Sequence, residues 1–374
     1  MRGCLAFFIA LAFVACLPLS LLAFNINRVV FDAPLVKRVV TQQVTESDLI
    51  AVTLQWLAQK RAQERVLTGE AQTAIREPDA LKALQFPTLD AWRKIRALVL
   101  PNQFLAQWTA TTIDGVYGWI DSTDQIPNIV LDFRAWKTQM KSANGHQAIQ
   151  IVYDSVPPCK QADIDDFLKR LAATPQGKEV LYNLYTPCKF PDPWRKDQNQ
   201  DYLDSRDEIM GNAPDIFDLP KELARVDKQA GVGADALKQQ LKTIRLLGWA
   251  SLVVPLVLIA LLVLLGVRSQ IGIARWLGLP LLVGGLLSLL PTLTYSFIVG
   301  AMLTAGPMSE VPKEVTAEFT RAFGVLLAEI FNPMLLESLA LMLIGLVVVI
   351  AGIARKPKTQ TQPSAPPPGG PESL

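Results

Sequence analysis

Four long apolar stretches, at 3–24, 246–267, 277–303 and 334–354, stand out from a chain that is otherwise polar or alternating. A helix needs about 20 consecutive apolar residues to cross a hydrocarbon core, so each stretch is read as a membrane crossing. Arg245 and Arg268 bracket the second, Arg275 precedes the third, and Arg355, Lys356 and Lys358 follow the fourth. Charge thus marks the ends, where long basic side chains reach the interface. The connection 268–275 carries arginine and no acid, and the segment after 354 opens with basic residues, whereas 304–333 holds Glu310, Glu314, Glu318 and Glu329. Basic short loops face the cytoplasm. This predicts a multi-pass cell-membrane protein with both termini cytoplasmic and residues 25–245 extracytoplasmic.

The first stretch admits three readings. Arg2 followed by an apolar run is how a secretory signal begins, and "FVAC" at 13–16 hints at lipoprotein-type cleavage before Cys16. Phe13 is a poor residue three before that cysteine, Leu17 to Leu22 stays apolar, and no small-x-small site closes the run. An uncleaved signal anchor over residues 1–24 is the leading expectation, with a cleaved peptide and a lipidated cysteine as alternatives. The remaining topology is the same in all three.

Residues 25–245 read as one mostly helical domain. Pro34 after Asp32 marks a helix start, with Val36, Val39 and Val40 on one face. A second helix opens near 45–48, capped by Ser47 or Asp48, with Ile50, Leu54 and Leu57 spaced for a buried stripe. Leu89 to Leu100 repeats the pattern through Trp92, Ile95 and Val99. Pro101 ends that helix and begins another, along which Phe104, Trp108 and Trp119 recur. Two β-rich runs, 127–133 and 148–154, predict a minor two-stranded β element, with a helical piece at 134–143 closed by Asn144 and Gly145. The prolines between 186 and 220 predict an extended segment, and 221–245 regains helical composition after Gly231 to Gly233. The fold class is therefore mainly α: transmembrane helices plus an α-rich (α+β) extracytoplasmic domain.

Half of the 374 residues are apolar and only 19% are charged, in keeping with lipid as a solvent. Net charge is +2 with no dense basic cluster, which argues against a nucleic-acid partner. Cys159 and Cys188 are the cysteines outside the apolar stretches, and an extracytoplasmic pair normally oxidises to a disulfide. Closing a loop of about 30 residues gains about 3–4 kcal/mol in the chain-entropy model. Metal binding lacks partners, since His146 is the one histidine and no CxxC occurs. His146 follows a turn signal and reads as a solvated loop residue.

Three acidic groups invite chemistry. Asp197, Asn199, Asp201, Ser205 and Glu208 fall at positions 1, 3, 5, 9 and 12 of a calcium loop, but Tyr202 occupies the turn position that wants glycine. A solvated acidic loop is the preferred reading. Asp163, Asp165 and Asp166 open a helix whose apolar face is Ile164, Phe167, Leu168 and Leu171, so the helix dipole explains them. Asp114 and Asp121 share a helix face as paired carboxylates could. No nucleophile elbow, zinc motif, phosphate loop or dinucleotide fingerprint occurs, and neither a catalytic site nor a cofactor is expected.

In the membrane region, Pro280, Gly284, Gly285, Pro291 and a hydroxyl-rich run at 292–296 point to close helix packing. Glu337 is the one ionisable residue that approaches a transport role, near the outer interface. Residues 312–331 form an amphipathic helix along the outer surface, separated by Asn332 and Pro333 from the last crossing. With it, 246–354 forms a three-helix transmembrane region. The tail 355–374 is too polar and proline-rich to fold.

"WTATTIDGVYGWI" at 108–120, "IVLDFRAWK" at 129–137, "PPC" at 157–159, "TPC" at 186–188, "PD" at 214–215 and "RWLGLPLLVGGLLSLL" at 275–290, set behind an N-terminal crossing, together resemble an uncharacterised family of bacterial multi-pass membrane proteins. The resemblance covers most of the chain and implies a topology without a mechanism. The expected function is an envelope protein whose outer domain binds a protein or small-molecule partner. The alternative is an envelope enzyme using carboxylates of that domain.

Overall fold

The computed structural model describes residues 2–67, 77–173, 187–226, 230–266, 270–305 and 311–354. In chain order its elements begin with α1 (Arg2–Val30), α2 (Ala33–Glu46), α3 (Leu49–Leu67), α4 (Asp79–Ala83), α5 (Leu89–Val99) and α6 (Asn102–Asp121). They continue with β1 (Val130–Asp132), α7 (Arg134–Lys141), α8 (Ala143–Ser155), α9 (Gln161–Ala173), α10 (Arg195–Asn212), β2 (Ile216–Asp218) and α11 (Leu219–Val226). The last are α12 (Ala230–Ala250), α13 (Val253–Gly266), α14 (Gln270–Ile273), a π-helical turn (Ala274–Gly278), α15 (Leu279–Ala305) and α16 (Lys313–Ala354). The protein is mainly helical with one small antiparallel sheet. The predicted disordered tail 355–374 lies outside the described residues.

The chain divides into two compact units. The first takes residues 1–25, 248–293 and the chain from 331 onward; the second takes 26–247 together with 294–330. Among the described residues four helices are long and apolar enough to cross a membrane, Cys4–Val30, Gly233–Gly266, Ala274–Ala301 and Lys313–Ala354. This is a multi-pass membrane protein.

The first unit packs around Phe13, Leu17, Leu21, Leu262, Leu281 and Met334. Glycines set how closely its helices approach. A Cβ on Gly285 would lie 2.7 Å from the Met342 nitrogen, and one on Gly345 would lie 2.4 Å from the Leu282 nitrogen and 2.9 Å from the Gly278 carbonyl. The helices α15 and α16 therefore meet backbone to backbone, the contact that small residues permit where no hydrophobic effect drives association. Ser288 and Ser338, both fully buried, donate to the carbonyls of Gly284 and Met334 at 2.8 and 2.7 Å. Helix α16 corrects one expectation. Pro333 does not separate an outer helix 312–331 from the last crossing; it lies inside one helix of 42 residues. Proline is tolerated in apolar helices because neighbours and hydroxyls re-satisfy the freed backbone.

In the second unit the apolar core gathers Ala51, Trp92, Ile95, Val99, Ala148, Val152, Tyr153 and Tyr202. Two helix starts and one buried face match the sequence reading: the Asp32 carboxylate accepts from the Leu35 N–H at 3.0 Å, Ser47 Oγ from the Leu49 N–H at 3.2 Å, and α5 buries Trp92, Ile95 and Val99. The stripe of α3 is rotated from the expected one. Ala51 and Val52 are buried with Leu54 and Ala58 packed beside them, and Leu57 is exposed. Likewise α9 buries Phe167 alone, and Leu168 and Leu171 face outward. Cys159 and Cys188 form a disulfide, Sγ–Sγ 2.10 Å, beside Phe167, Phe190 and Trp194.

Two larger corrections concern regular structure. Residues 148–154 are not a strand; they are the body of α8, whose buried Ala148, Val152 and Tyr153 recur at helical spacing. Ser142 caps that helix by accepting from the Asn144 N–H at 3.2 Å, so Asn144 and Gly145 begin it instead of closing α7. Gly145 is required there, because a Cβ would sit 1.8 Å from the Met140 carbonyl oxygen. The true partner of β1 is β2, paired antiparallel with Leu131 opposite Phe217. β2 lies within 186–220, which is therefore not extended throughout. Its prolines flank an 18-residue helix, α10, that buries Gln198, Tyr202, Leu203, Arg206 and Met210. Gln198 fastens the disulfide segment to this helix: its Nε2 donates to the Cys188 carbonyl at 2.7 Å, and its Oε1 accepts from the Phe190 N–H at 3.0 Å and the Tyr153 hydroxyl at 3.1 Å.

Candidate functional site

The corner where α7 passes into α8 opens a cavity of about 470 Å³ against α10. Lys141 is the last residue of α7, Ser142 is the cap, His146, Gln147 and Gln150 come from the first turns of α8, and Arg206 comes from α10. A helix start carries a partial positive charge and unpaired N–H groups. Around it stand an ammonium, an imidazole and a guanidinium. Lys141 and His146 are exposed, and Arg206 is only 8% exposed. The Arg206 Nε and Nη2 both reach the Asp207 carboxylate, at 2.9 and 2.8 Å. Its Nη1 is buried and has no hydrogen-bond partner. Beside it Gln150 is fixed, accepting from Asn199 at 3.0 Å and donating to Asp154 at 3.1 Å. Among the described residues no carboxylate lies within ion-pair distance of Lys141. The cavity thus offers cationic and amide donors in excess of acceptors, at the lower-middle of the size range of small-molecule pockets.

One turn before Arg206 on α10 stands Tyr202, fully buried, whose phenol is pushed well up by burial and by the charge of Asp79. Asp79 and Lys82 form a buried ion pair, Nζ–Oδ1 2.9 Å. At the opposite end of α7 the sequence patterns at 108–120, 129–137 and 214–215 come together. Trp108 stands edge-on to Phe133 and Trp136, Phe133 stacks near Phe217, and Lys137 pairs with Asp215 at 2.6 Å. The Arg134 side chain holds the Asp132 carboxyl down at about 2. This junction clamps the small sheet to α6 and α7.

The other acidic candidates are not brought together. Asp114 pairs with Lys37 and Asp121 with Arg245 at 2.8 Å, and both aspartates are exposed. Seven residues of helix separate them by about 10 Å along the axis. Each carboxylate has its own cation, so they do not form an acid–base dyad. The calcium-loop pattern at 197–208 is helix α10, not a loop, and a helix turns its alternate residues to different sides. Asp163, Asp165 and Asp166 are engaged locally: Asp163 accepts from the Lys160 N–H at 3.0 Å, Asp165 from Gln161 at 2.9 Å, and Asp166 pairs with Arg170 at 3.1 Å. His146 is solvated as expected, but on a helix. Glu337 accepts from the amide of Asn25, which is fully buried, at 2.8 Å.

The cavity residues Lys141 and Arg206 were not singled out by sequence. The available signal was Ser142 directly after a basic residue and before the apolar spacing 148, 152, 153, which marks a capped helix. Comparison with family models, with curated proteins and with solved structures gives no match.

Proposed function

We propose that this membrane protein is a bacterial envelope protein whose second unit lies outside the cytoplasm and binds a small anionic molecule at the α7–α8 corner. The observation that carries the reading is the cavity itself: Lys141, His146 and the unpartnered Nη1 of Arg206 around a helix start. Supporting the outer placement are the basic connection 268–275, the basic residues that follow the fourth apolar stretch, and the Cys159–Cys188 disulfide, a bond that persists in oxidising compartments. A carboxylate or phosphate of the ligand replaces water on the exposed Lys141 and His146, and charged hydrogen bonds of this kind contribute about 1.5–3 kcal/mol. Asp114 and Asp121 each stand in a separate ion pair, which favours the binding reading over the alternative of an envelope enzyme using carboxylates of that domain.

Thermal unfolding of the full chain in nanodiscs, titrated with citrate and separately with glycerol, tests the reading. Citrate is expected to raise the midpoint and glycerol to leave it unchanged. Arg206→Gln and the exposed-site variant Lys141→Gln are each expected to weaken the citrate response about tenfold or more. Equal responses to citrate in the wild type and both variants would refute it.

A further inference from the structure

A second hollow, of about 310 Å³, lies in the first unit between α1 and the start of α15. Its walls are apolar, led by Phe7, Leu11, Val14 and Leu279, and Arg275 and Trp276 stand in it. Both walls belong to membrane-crossing helices, and both helices begin nearby: the apolar spans open at Cys4 and Ala274. The hollow therefore sits at one end of two crossings, where acyl chains give way to headgroups.

We propose that this hollow binds one anionic phospholipid, with an acyl chain along the apolar wall and the phosphate on Arg275. In a bilayer, hydrocarbon is the solvent available to the wall. Charge complementarity decides the headgroup. Arg275 is exposed, and among the described residues no carboxylate lies within ion-pair distance of it. Its guanidinium carbon lies over the Trp276 ring, 5.4 Å from the centroid. A guanidinium carries its N–H donors in a planar fork that matches a phosphate in bidentate geometry.

The support beneath Arg275 is built in. Trp276 occupies the space that a side chain at Gly266 would need, with its Cγ 2.8 Å from where that Cβ would be. Ala274–Gly278 is a π-helical turn, a rare form that recurs at functional sites. Behind the turn Gly278 abuts α16, where a Cβ would lie 2.9 Å from a Val349 methyl. Arginine and tryptophan are thus held from behind and open to lipid in front.

The test uses the purified full chain in a mild nonionic detergent, offered equimolar phosphatidylglycerol and phosphatidylcholine with the same acyl chains. Native mass spectrometry counts the lipids retained. Wild type is expected to keep one phosphatidylglycerol with about tenfold preference over phosphatidylcholine, since both offer a phosphate but only phosphatidylcholine brings a choline ammonium, a like charge, up to Arg275. Arg275→Gln is expected to bring the preference to within about twofold, Arg275→Lys to leave it between the two, and Ala10→Phe, which fills the apolar wall, to lower retention of both lipids. Glycerol phosphate in solution is expected not to displace the bound lipid. The inference is overturned by a wild type without preference, by unchanged preference in Arg275→Gln, by undiminished retention in Ala10→Phe, or by displacement with glycerol phosphate alone.

Discussion

Replacing Lys82 with alanine is expected to destabilise the second unit by about 3–5 kcal/mol, the cost of leaving a buried charge after its partner is removed. The Lys82 and Asp79 side chains are 0% and 1% exposed and meet at 2.9 Å, one turn apart on the short helix α4. Removing the ammonium leaves the carboxylate inside, next to the fully buried ring of Tyr202. The double variant Asp79→Ala, Lys82→Met removes both charges and is expected to recover most of the loss, because a well-packed apolar pair is often as stable as a buried ion pair. Denaturant unfolding of the full chain in nanodiscs, followed by near-ultraviolet circular dichroism, measures both. A Lys82→Ala loss below about 1 kcal/mol would show that the pair is not buried as described.

In the membrane unit the largest effect is expected at Gly345. Alanine there is sufficient, because the clash is with Cβ itself: 2.4 Å from the Leu282 nitrogen and 2.8 Å from its Cα. Backbone cannot rotate away as a side-chain tip can, so α15 and α16 must separate along their contact. Overpacking of this kind costs about 1–3 kcal/mol, with leucine at the upper end or beyond. Gly324 lies on the same helix, where a Cβ meets nothing within 4 Å. Gly324→Ala is expected to be neutral or to stabilise by up to about 1 kcal/mol through helix propensity. Thermal aggregation midpoints in detergent compare the two. Equal behaviour of Gly345→Ala and Gly324→Ala would remove the close approach.

The sequence was most legible where one physical signal dominated. Four long apolar runs announced the crossings because no other solvent suits them, and Asp32, Ser47 and the triplet Trp92, Ile95, Val99 announced caps and a buried helix face. It was least legible where two signals competed. At 148–154, β-branched Ile149, Ile151 and Val152 outweighed the helical spacing of Ala148, Val152 and Tyr153, and tertiary packing settled the matter for helix. Between 186 and 220 the prolines read as extended chain, yet Pro193 and Pro214 stand outside α10 as helix boundaries. Pro333 erred in the same direction, since a membrane helix absorbs a proline that would end a helix in water. The cavity was invisible for another reason. Lys141 and Arg206 are 65 positions apart in the sequence, and only the packing of α8 on α10 makes them neighbours.

In the proposed topology the second unit faces the exterior. Lys94 is exposed on α5, in the second unit. A Lys94→Cys variant of the full chain is treated with a membrane-impermeant maleimide on intact cells, beside a Ser364→Cys variant in the tail. Lys94→Cys is expected to be labelled at once and Ser364→Cys only after the membrane is permeabilised. Labelling of Lys94→Cys solely after permeabilisation would contradict it.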